Sequence, residues 1–254
     1  MSVSERAGHT FLASLGKTRL RPGGVEATEW LVSQAQLNGD TNVLEVACNM
    51  ATTSIELAQR FGCRICAIDM DKNALATATQ RVREAGLSEN IQIMEANAGK
   101  LPFADESFDV VINEAMLTMY ADKAKAKLVS EYYRVLKKGG CLLTHDIMLT
   151  RGDLASDSHG QLQDVVKSHV SPMSQLAWKQ LFLDSGFSRV DTHNGAMSLM
   201  SPAGLIRDEG LGRAIKIVFN GMRTAENRKR FTGMFRYFRS HRNQLNFIAC
   251  CSRK

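Results

Sequence analysis

The order of apolar and helical segments between residues 40 and 150 is the feature that most restricts how this chain can fold. Short apolar runs predict strands at 43–46, 64–69, 91–95, 108–113 and 141–147, and helical spacing predicts helices at 53–61, 71–86 and 123–136. Strands that alternate with helices through short turns form a parallel sheet with helices on both faces. The sequence therefore predicts a doubly wound α/β fold, in which a ligand lies outside the carboxyl ends of the strands.

The segments outside this region complete the predicted architecture. We predict a helix at 26–37 before the first strand, a polar loop at 151–171, a helix at 174–185, a strand at 186–193, two helices within 210–242 and a last strand at 246–251. The result is a mostly parallel sheet of seven strands with helical additions at both ends. Because single cores stop growing at roughly 250–300 residues, one domain spanning 1–254 is expected.

Composition limits the compartment and the chemistry. No run of 18 apolar residues and no N-terminal pattern of charged then apolar residues is present, so we expect a cytoplasmic protein without a membrane partner. Cys63 and Cys66 form a C-x-x-C, but residues three apart on a strand point to opposite faces. We therefore expect buried free thiols and no metal site.

Polar residues fall at the ends of the first four predicted strands, where the fold places a ligand. Glu45 lies near the end of the first strand, and Asp69 ends the second, where a carboxylate can accept two hydrogen bonds from a ribose diol. Asn97 follows the third strand, and Asn113 and Glu114 follow the fourth. Each residue alone is explained as a turn residue or helix-dipole partner, but their occurrence at successive strand ends favours a nucleotide-type site.

Four segments in order, "VLEVACNMA", "CAIDMD", "ANAGKLPFADESFDVVIN" and "EYYRVLKKGGCLLTHD", resemble a class I S-adenosylmethionine-dependent methyltransferase of the small-molecule type, over roughly residues 40–150. The resemblance implies a Rossmann-like methyltransferase fold in which the first-strand acid and the following turn hold the methionine part. The second-strand acid would bind the ribose, and the residues after the third strand the adenine. The implied cofactor-binding residues are Glu45, Ala47, Asn49, Ala51, Asp69, Met70, Asn97, Ala98 and Asn113.

The turn after the first strand departs from the family pattern. The family has glycines at three positions where this sequence has Ala47, Asn49 and Ala51. Alanine is the smallest replacement, and asparagine is the non-glycine residue that best tolerates left-handed backbone geometry. We therefore expect the turn still to bind the cofactor.

The resemblance also divides the chain by expected role. Residues 1–24 are expected to be an N-terminal cap segment, 25–150 the cofactor-binding core, and 151–254 a substrate-side half with a helical insertion at 201–245. Methyl transfer is an in-line displacement in which positioning supplies much of the rate, and a general base is needed only if the acceptor must lose a proton. Glu114, His145 and Asp146, at the ends of the fourth and fifth strands, are the candidate catalytic residues.

Positive charge is concentrated near the C-terminus. Residues 207–254 contain twelve Lys/Arg and three Asp/Glu, a net +9, whereas the preceding residues sum to −3. Helical spacing places Phe231, Met234, Phe235 and Phe238 on one stripe that includes Arg242, with Arg239 at its edge. These two arginines, together with Arg19 and Arg21 from "GKTRLRPGG", are either solvated or bind an anionic acceptor.

Several alternatives remain open. One alternative is a nicotinamide oxidoreductase, but this chain lacks the glycines that the turn of such an enzyme requires. Another is an RNA-binding methyltransferase, which would use the basic C-terminal helices. The aromatic stripe favours a core role for those helices over base stacking, which argues against a nucleic-acid partner. A methyltransferase-like protein that binds the cofactor without activity is also compatible with the altered turn. The expected partner is a small methyl acceptor, and the sequence predicts no oligomeric state.

Overall fold

One mixed sheet organises the molecule. The computed structural model describes residues 7–150 and 156–254, and its strands run in the order β3-β2-β1-β4-β5-β8-β7, with β6 beside β5. All pairs are parallel except those that β8 makes with β5 and β7. The strands are β1 Asn42–Val46, β2 Arg64–Asp69, β3 Ile91–Glu95, β4 Phe108–Glu114, β5 Leu136–Leu149, β6 Met173–Ser174, β7 Arg189–Ala196 and β8 Leu245–Arg253. The predicted fold class is confirmed, with a two-residue eighth strand added to the predicted seven.

Ten α-helices surround the sheet in the part of the chain that is described. They are α1 Gly8–Ser14, α2 Gly24–Gln34, α3 Thr52–Phe61, α4 Lys72–Glu84, α5 Asp122–Val135, α6 Ser156–Val166, α7 Gln175–Asp184, α8 Pro202–Glu209, α9 Leu211–Arg223 and α10 Ala225–Ser240.

The predicted loop at 151–171 is wrong for 156–166, which is helical, and residues 151–155 lie outside the described residues. The two helices predicted within 210–242 are α9 and α10, and α8 precedes them. Gly210 separates α8 from α9 because its φ of 77° does not continue a helix.

The sheet separates two apolar layers. Successive residues of β1 point to opposite faces, so Val43 packs beneath α2, α3 and α4, whereas Leu44 packs beneath α5 and α7. Both side chains are essentially inaccessible to solvent. This double coverage fixes the strands in position, and their carboxyl ends can hold a site without contributing to either layer.

A further apolar cluster lies beyond the sheet and joins the two ends of the chain. Phe11 and Leu12 of α1 pack against Ile217 of α9 and against Phe231 and Met234 of α10. The N-terminal segment, residues 7–24, is thereby held against the C-terminal helices. Among the described residues, no helix is long and apolar enough to cross a bilayer, and the six cysteines are free thiols.

Candidate functional site

A cavity of about 280 Å³ lies where β1, β2, β4 and β5 end. One side is formed by the loops and strand residues at this edge of the sheet. The other side is formed by α1, the rest of the N-terminal segment, and residues of α6 and α10. The described elements from both ends of the chain thus enclose the edge of the sheet where the fold rule places a ligand.

The turn between β1 and α3 has the backbone geometry of a glycine turn. Ala47, Asn49 and Ala51 have φ values of 57°, 48° and 53°, all in the left-handed region that L-residues rarely adopt. All three positions correspond to the expected glycines, so the substitutions preserve the turn at the cost of local strain. Ala47 and Asn49 line the cavity, and Ala51 is buried at the N-terminus of α3.

Asp69 fixes this turn to the end of β2. Its Oδ2 accepts a hydrogen bond from the backbone N–H of Asn49 at 2.9 Å, and its Oδ1 accepts from the backbone N–H groups of Met70 and Asp71 at 2.7 and 3.0 Å. These three backbone donors hold the carboxylate between the turn and the end of β2. Asp69 lines the cavity, and its Oδ2 retains a lone pair for a ligand.

Glu45 is a buried carboxyl at the N-terminus of α3. Its Oε2 accepts hydrogen bonds from the backbone N–H of Ser54, at 2.9 Å, and from the Ser54 hydroxyl. Burial raises the pKa of Glu45 to about 7, and the charge of Glu114 adds to the shift, although the Ser54 bonds and Arg21 oppose it. The residue therefore titrates near neutral pH at the wall of the cavity.

Glu114 is held by a set of donors that the sequence analysis did not predict. Its oxygens accept hydrogen bonds from Thr28 and Thr53, each at 2.8 Å, and pair with the Arg21 guanidinium at 3.0 Å. Burial alone would raise the pKa of Glu114, but Arg21, His145 and Thr53 outweigh burial and hold it well below its ordinary value. A carboxylate that is so strongly stabilised in its charged form is a poor proton acceptor.

His145 is a structural partner of Glu114 and does not line the cavity. Its Nε2 accepts the backbone N–H of Gly23 at 2.9 Å, so the proton is carried by Nδ1, which lies 3.2 Å from a Glu114 oxygen. Both ring nitrogens are engaged and the side chain is fully buried. Glu114 and His145 together anchor the turn Pro22-Gly23-Gly24 to the sheet.

Asp146 is the predicted catalytic residue with free acceptor capacity at the cavity. Its Oδ2 accepts the backbone N–H of Thr118 at 3.0 Å, and its Oδ1 accepts that of Ile147 at 2.9 Å. Each oxygen retains a lone pair, and burial raises the pKa of this carboxyl above its ordinary value. Asp146 lines the cavity together with Thr118 and Ile147.

Five predicted cofactor residues lie outside the cavity lining, namely the buried Ala51 and Met70, Asn97, Ala98 and Asn113. Asn97 is exposed, and its Oδ1 accepts the backbone N–H of Gly99 at 2.8 Å, whereas Ala98 is buried in the core. Met70 is 62% exposed beside Asp69, and Asn113 is fully buried with an Oδ1 that has no hydrogen-bond partner.

The structure does not bring the predicted arginines together as an anion site. Arg19 pairs with Glu56 at 2.8 Å and lies outside the cavity lining, and the guanidinium of Arg21 is occupied by Glu114. Arg239 and Arg242 are exposed and also lie outside the lining. α10 ends at Ser240, so the helical spacing that placed Arg242 on the apolar stripe does not extend to it. The expected anion-binding role of these residues has no support in the geometry.

The side of the cavity opposite the turn is largely apolar, with His9 and Ser168 as polar residues, and sequence reasoning missed most of it. It is lined by Leu12, Val166, Val170, Leu199, Met234 and Phe238. Met234 and Phe238 belong to the predicted aromatic stripe, so helical spacing gave a signal for them. The other residues come from segments that are distant in sequence, and no local pattern indicates that they converge.

The charges of the cavity favour a cationic ligand. Among the described lining residues there are five carboxyl groups and one guanidinium, that of Arg21. The five carboxyl groups belong to Glu45, Asp69, Asp71, Glu114 and Asp146. Because Arg21 and Glu114 neutralise each other, the remaining field is negative and attracts positive charge.

Comparison with known proteins gives related sequences for most of the chain. A family described as a methyltransferase domain matches residues 43–140. A Haemophilus influenzae protein of uncharacterized function is 51% identical over 252 residues, which cover 99% of this chain and 100% of that protein. A Listeria welshimeri protein named demethylmenaquinone methyltransferase is 32% identical over 184 residues, which cover 62% of this chain and 75% of that protein.

Solved structures share the fold at low sequence identity. The MccD protein superposes with a TM-score of 0.76 at 17% identity, covering 93% of this chain and 100% of its own. The Haemonchus contortus phosphoethanolamine N-methyltransferase 2, solved with S-adenosyl-L-methionine, superposes with a TM-score of 0.77 at 17% identity. That match covers 97% of this chain and 57% of the Haemonchus chain. Likeness at this identity establishes the fold alone.

Proposed function

This chain belongs to the class I S-adenosylmethionine-dependent methyltransferases, and from that premise we propose that it methylates a small, uncharged and largely apolar acceptor. The observation that carries the proposal is the division of the cavity. One side has the left-handed turn and the carboxylates of Asp69 and Glu45, and the other is largely apolar. An anionic acceptor, which the sequence allowed, is disfavoured because Glu114 already neutralises the cation in the described lining, Arg21.

The residues present fit S-adenosylmethionine as the cofactor. Its sulfonium and ammonium charges are complementary to the negative cavity, and the open turn at 47–51 lets the backbone approach a ligand closely. We propose that Asp69 binds the ribose hydroxyls and that Glu45 lies nearest the methionine part. Met70 and Asn97 are proposed for the adenine side, where both are exposed.

When bound, S-adenosylmethionine would supply a methyl group on its sulfonium for transfer to the acceptor. The protein's contribution is positioning and exclusion of water. Leu12 of α1 and Phe238 of α10 close the cavity from the side opposite the sheet, and both belong to apolar clusters that hold them in place. These elements leave an apolar space for the acceptor.

Asp146 is the proposed proton acceptor for any acceptor that must lose a proton. Its raised pKa brings it closer to neutral pH, each of its oxygens accepts one hydrogen bond from the described residues, and the residue lines the cavity. Glu114 and His145 are proposed instead as positioning residues that anchor the N-terminal segment through Arg21 and Gly23.

An acceptor screen tests the proposed function. Formation of S-adenosylhomocysteine is measured with uncharged phenols and quinols, including demethylmenaquinone analogues because of the Listeria relative, and with carboxylate and phosphate acceptors of similar size. We expect a higher kcat/KM for the uncharged acceptors. A consistent preference for anionic acceptors contradicts the proposal, and cofactor binding without turnover on any acceptor supports the inactive alternative.

Two variants locate the acceptor. Phe238→Ala is expected to raise the acceptor KM at least fivefold while leaving the affinity for S-adenosylhomocysteine unchanged, because it removes part of the apolar wall. Leu176→Ala is the control, since Leu176 is 79% exposed on α7 and does not line the cavity. Equal effects of the two substitutions would place the acceptor elsewhere.

A further inference from the structure

Helix α9 presents a solvent-exposed apolar surface that the methyltransferase site does not use. Leu211, Ile215 and Phe219 are 61%, 61% and 63% exposed, and Val218 and Met222 are 43% and 41% exposed. At 100° per residue these five side chains fall within an arc of about 100° on the helix. We refer to these five residues as the α9 face.

The buried side of α9 already has its partners, so the α9 face is additional to the core. Ala214, Ile217 and Gly221 are buried, and Ile217 packs in the cluster shared with α1 and α10. An apolar groove of about 440 Å³ runs between α8, α9 and α10 beside the α9 face. Leu211, Val218 and Met222 of the face line this groove. Exposed apolar surface of this kind marks an interaction site.

Positive charge is concentrated on α9 and α10, and the exposed Lys216 and Arg223 of α9 lie beside the α9 face. Residues 211–242 contain nine Lys/Arg and one Asp/Glu, hence a net charge of +8. Both acids of α8 are buried: Asp208 lies 3.8 Å from Lys17, and Glu209 lies 3.6 Å from Lys17 and 3.5 Å from Arg213, so Glu209 offsets one of these nine cations. A second copy of the chain would bring the same charges together across a two-fold axis, which disfavours self-association through this face.

We propose that the α9 face docks on the surface of an anionic lipid bilayer. Apolar side chains flanked by cations are the combination that binds the interface of such a membrane, where the chains enter the headgroup boundary and the cations attract anionic lipids. The contact is peripheral, which agrees with the lack of a membrane-spanning helix in the described residues. It departs from the expectation, drawn from composition, of no membrane partner.

Helix α10 connects this surface to the reaction cavity. Its Met234 and Phe238 line the cavity, whereas its Phe231 and Phe235 line the groove beside the α9 face. One helix thus lies between the proposed membrane contact and the apolar side of the cavity. That a lipid-dissolved acceptor would reach the cavity from this side rests on the proposed function, whereas the membrane contact does not.

Vesicle binding tests the contact without cofactor or acceptor. The full chain is sedimented with vesicles of phosphatidylcholine alone and with vesicles in which phosphatidylglycerol replaces about a third of the phosphatidylcholine. Both series are run at low and at physiological salt. The test variant is Leu211→Glu/Val218→Glu. The control is Leu176→Glu/Leu183→Glu on α7, which has the same spacing, the same charge change, and side chains exposed by 79% and 44%. α7 packs against β6, β7 and β8 and lies outside the basic segment.

We expect the wild type to bind the anionic vesicles, with binding that weakens as salt increases. The α9 variant should bind at least tenfold more weakly, and the α7 control less than threefold more weakly, while circular dichroism shows that both remain folded. Absence of binding by the wild type, or equal losses in the two variants, overturns the proposal. The proposal is also overturned, in favour of self-association, if ultracentrifugation shows that the wild type is a dimer and the α9 variant is a monomer. Calorimetry with S-adenosylhomocysteine on the same samples reports separately on the methyltransferase site.

Discussion

At the scale of single residues, Asn49 decides whether the glycine-free turn keeps its shape. Its φ of 48° is tolerated by asparagine and glycine but resisted by a β-branched residue. We expect Asn49→Gly to keep the affinity for S-adenosylhomocysteine within about twofold. Asn49→Val should weaken the affinity about tenfold, since left-handed geometry costs roughly 1–2 kcal/mol. Calorimetry measures both, and equal affinities would show that binding does not depend on this geometry.

The raised pKa of Glu45 predicts a pH dependence of stability. Below the ordinary carboxyl pKa of 4.5, the folded and unfolded states are both protonated and the residue contributes nothing. Between pH 4.5 and about 7 the unfolded state releases the proton while the folded state keeps it, so the free energy of unfolding falls as pH rises. The full penalty, on the order of 3 kcal/mol, is present above pH 7.

Glu45→Gln should remove this penalty, because the amide oxygen can still accept both Ser54 bonds without carrying charge. In urea titrations from pH 4.5 to 8, the variant should gain stability over the wild type as pH rises. Glu89→Gln, at an exposed position, serves as the control and should show no such trend. A constant difference between Glu45→Gln and the wild type across this range would contradict the assigned shift.

Single-residue roles were predictable where local geometry determines them. The left-handed turn followed from the residues at the glycine positions, because the tolerance of alanine and asparagine for that geometry is a local property. The pairing of Arg21 with Glu114 was not predictable, since 93 residues separate them and only the folded chain brings them together. The position of Arg242 was mispredicted because it depended on where α10 ends.

At the scale of elements, Gly24 at the start of α2 allows the N-terminal segment to pack closely against α8. Gly24 has a φ of 58°, and a Cβ there would overlap the Asp208 carboxylate, which accepts the backbone N–H of Val25 at 3.0 Å. Gly24→Ala should therefore add a steric cost to the backbone cost. Gly86 has a φ of 69°, and an added Cβ there meets no atom within 4 Å, so Gly86→Ala measures the backbone cost alone.

We expect Gly86→Ala to lower the free energy of unfolding by about 1–2 kcal/mol and Gly24→Ala by at least 2 kcal/mol more. Chemical denaturation measures both variants under one set of conditions. Similar losses would mean that Asp208 moves aside and that the contact between the N-terminal segment and α8 is loose.

Helices and strands were predictable in segments where one pattern of apolar residues, either a short run or helical spacing, was clear. The five strands from 43 to 147 and the helices between them were predicted near their observed positions, because short apolar runs and helical spacing there agree with burial on both faces of the sheet. Helix α6 was missed because its polar sequence, which includes Gly160, is typical of a loop. The exposure of the α9 face was missed as well, since periodicity reports that residues share a side of a helix but not whether anything covers that side.

At the scale of the whole molecule, the negative cavity and the basic α9 surface are predicted to act independently. A ligand that binds only the folded state raises the free energy of unfolding by about 2.7 kcal/mol at one hundred times its Kd. For a chain of this size that corresponds to a rise in Tm of roughly 5–10 °C. Saturation with S-adenosylhomocysteine should produce this rise in the wild type and equally in Leu211→Glu/Val218→Glu, because neither residue lines the cavity.

Asn49→Val at the same ligand concentration should show a smaller rise, since a tenfold weaker affinity removes about 1.4 kcal/mol of the stabilisation. Differential scanning calorimetry with and without the ligand provides the comparison, and each variant's own unliganded Tm is the reference. Loss of the rise in the α9 variant would contradict independence. It would mean that the shared cluster of α1, α9 and α10 transmits changes at the surface to the cavity wall that Met234 forms.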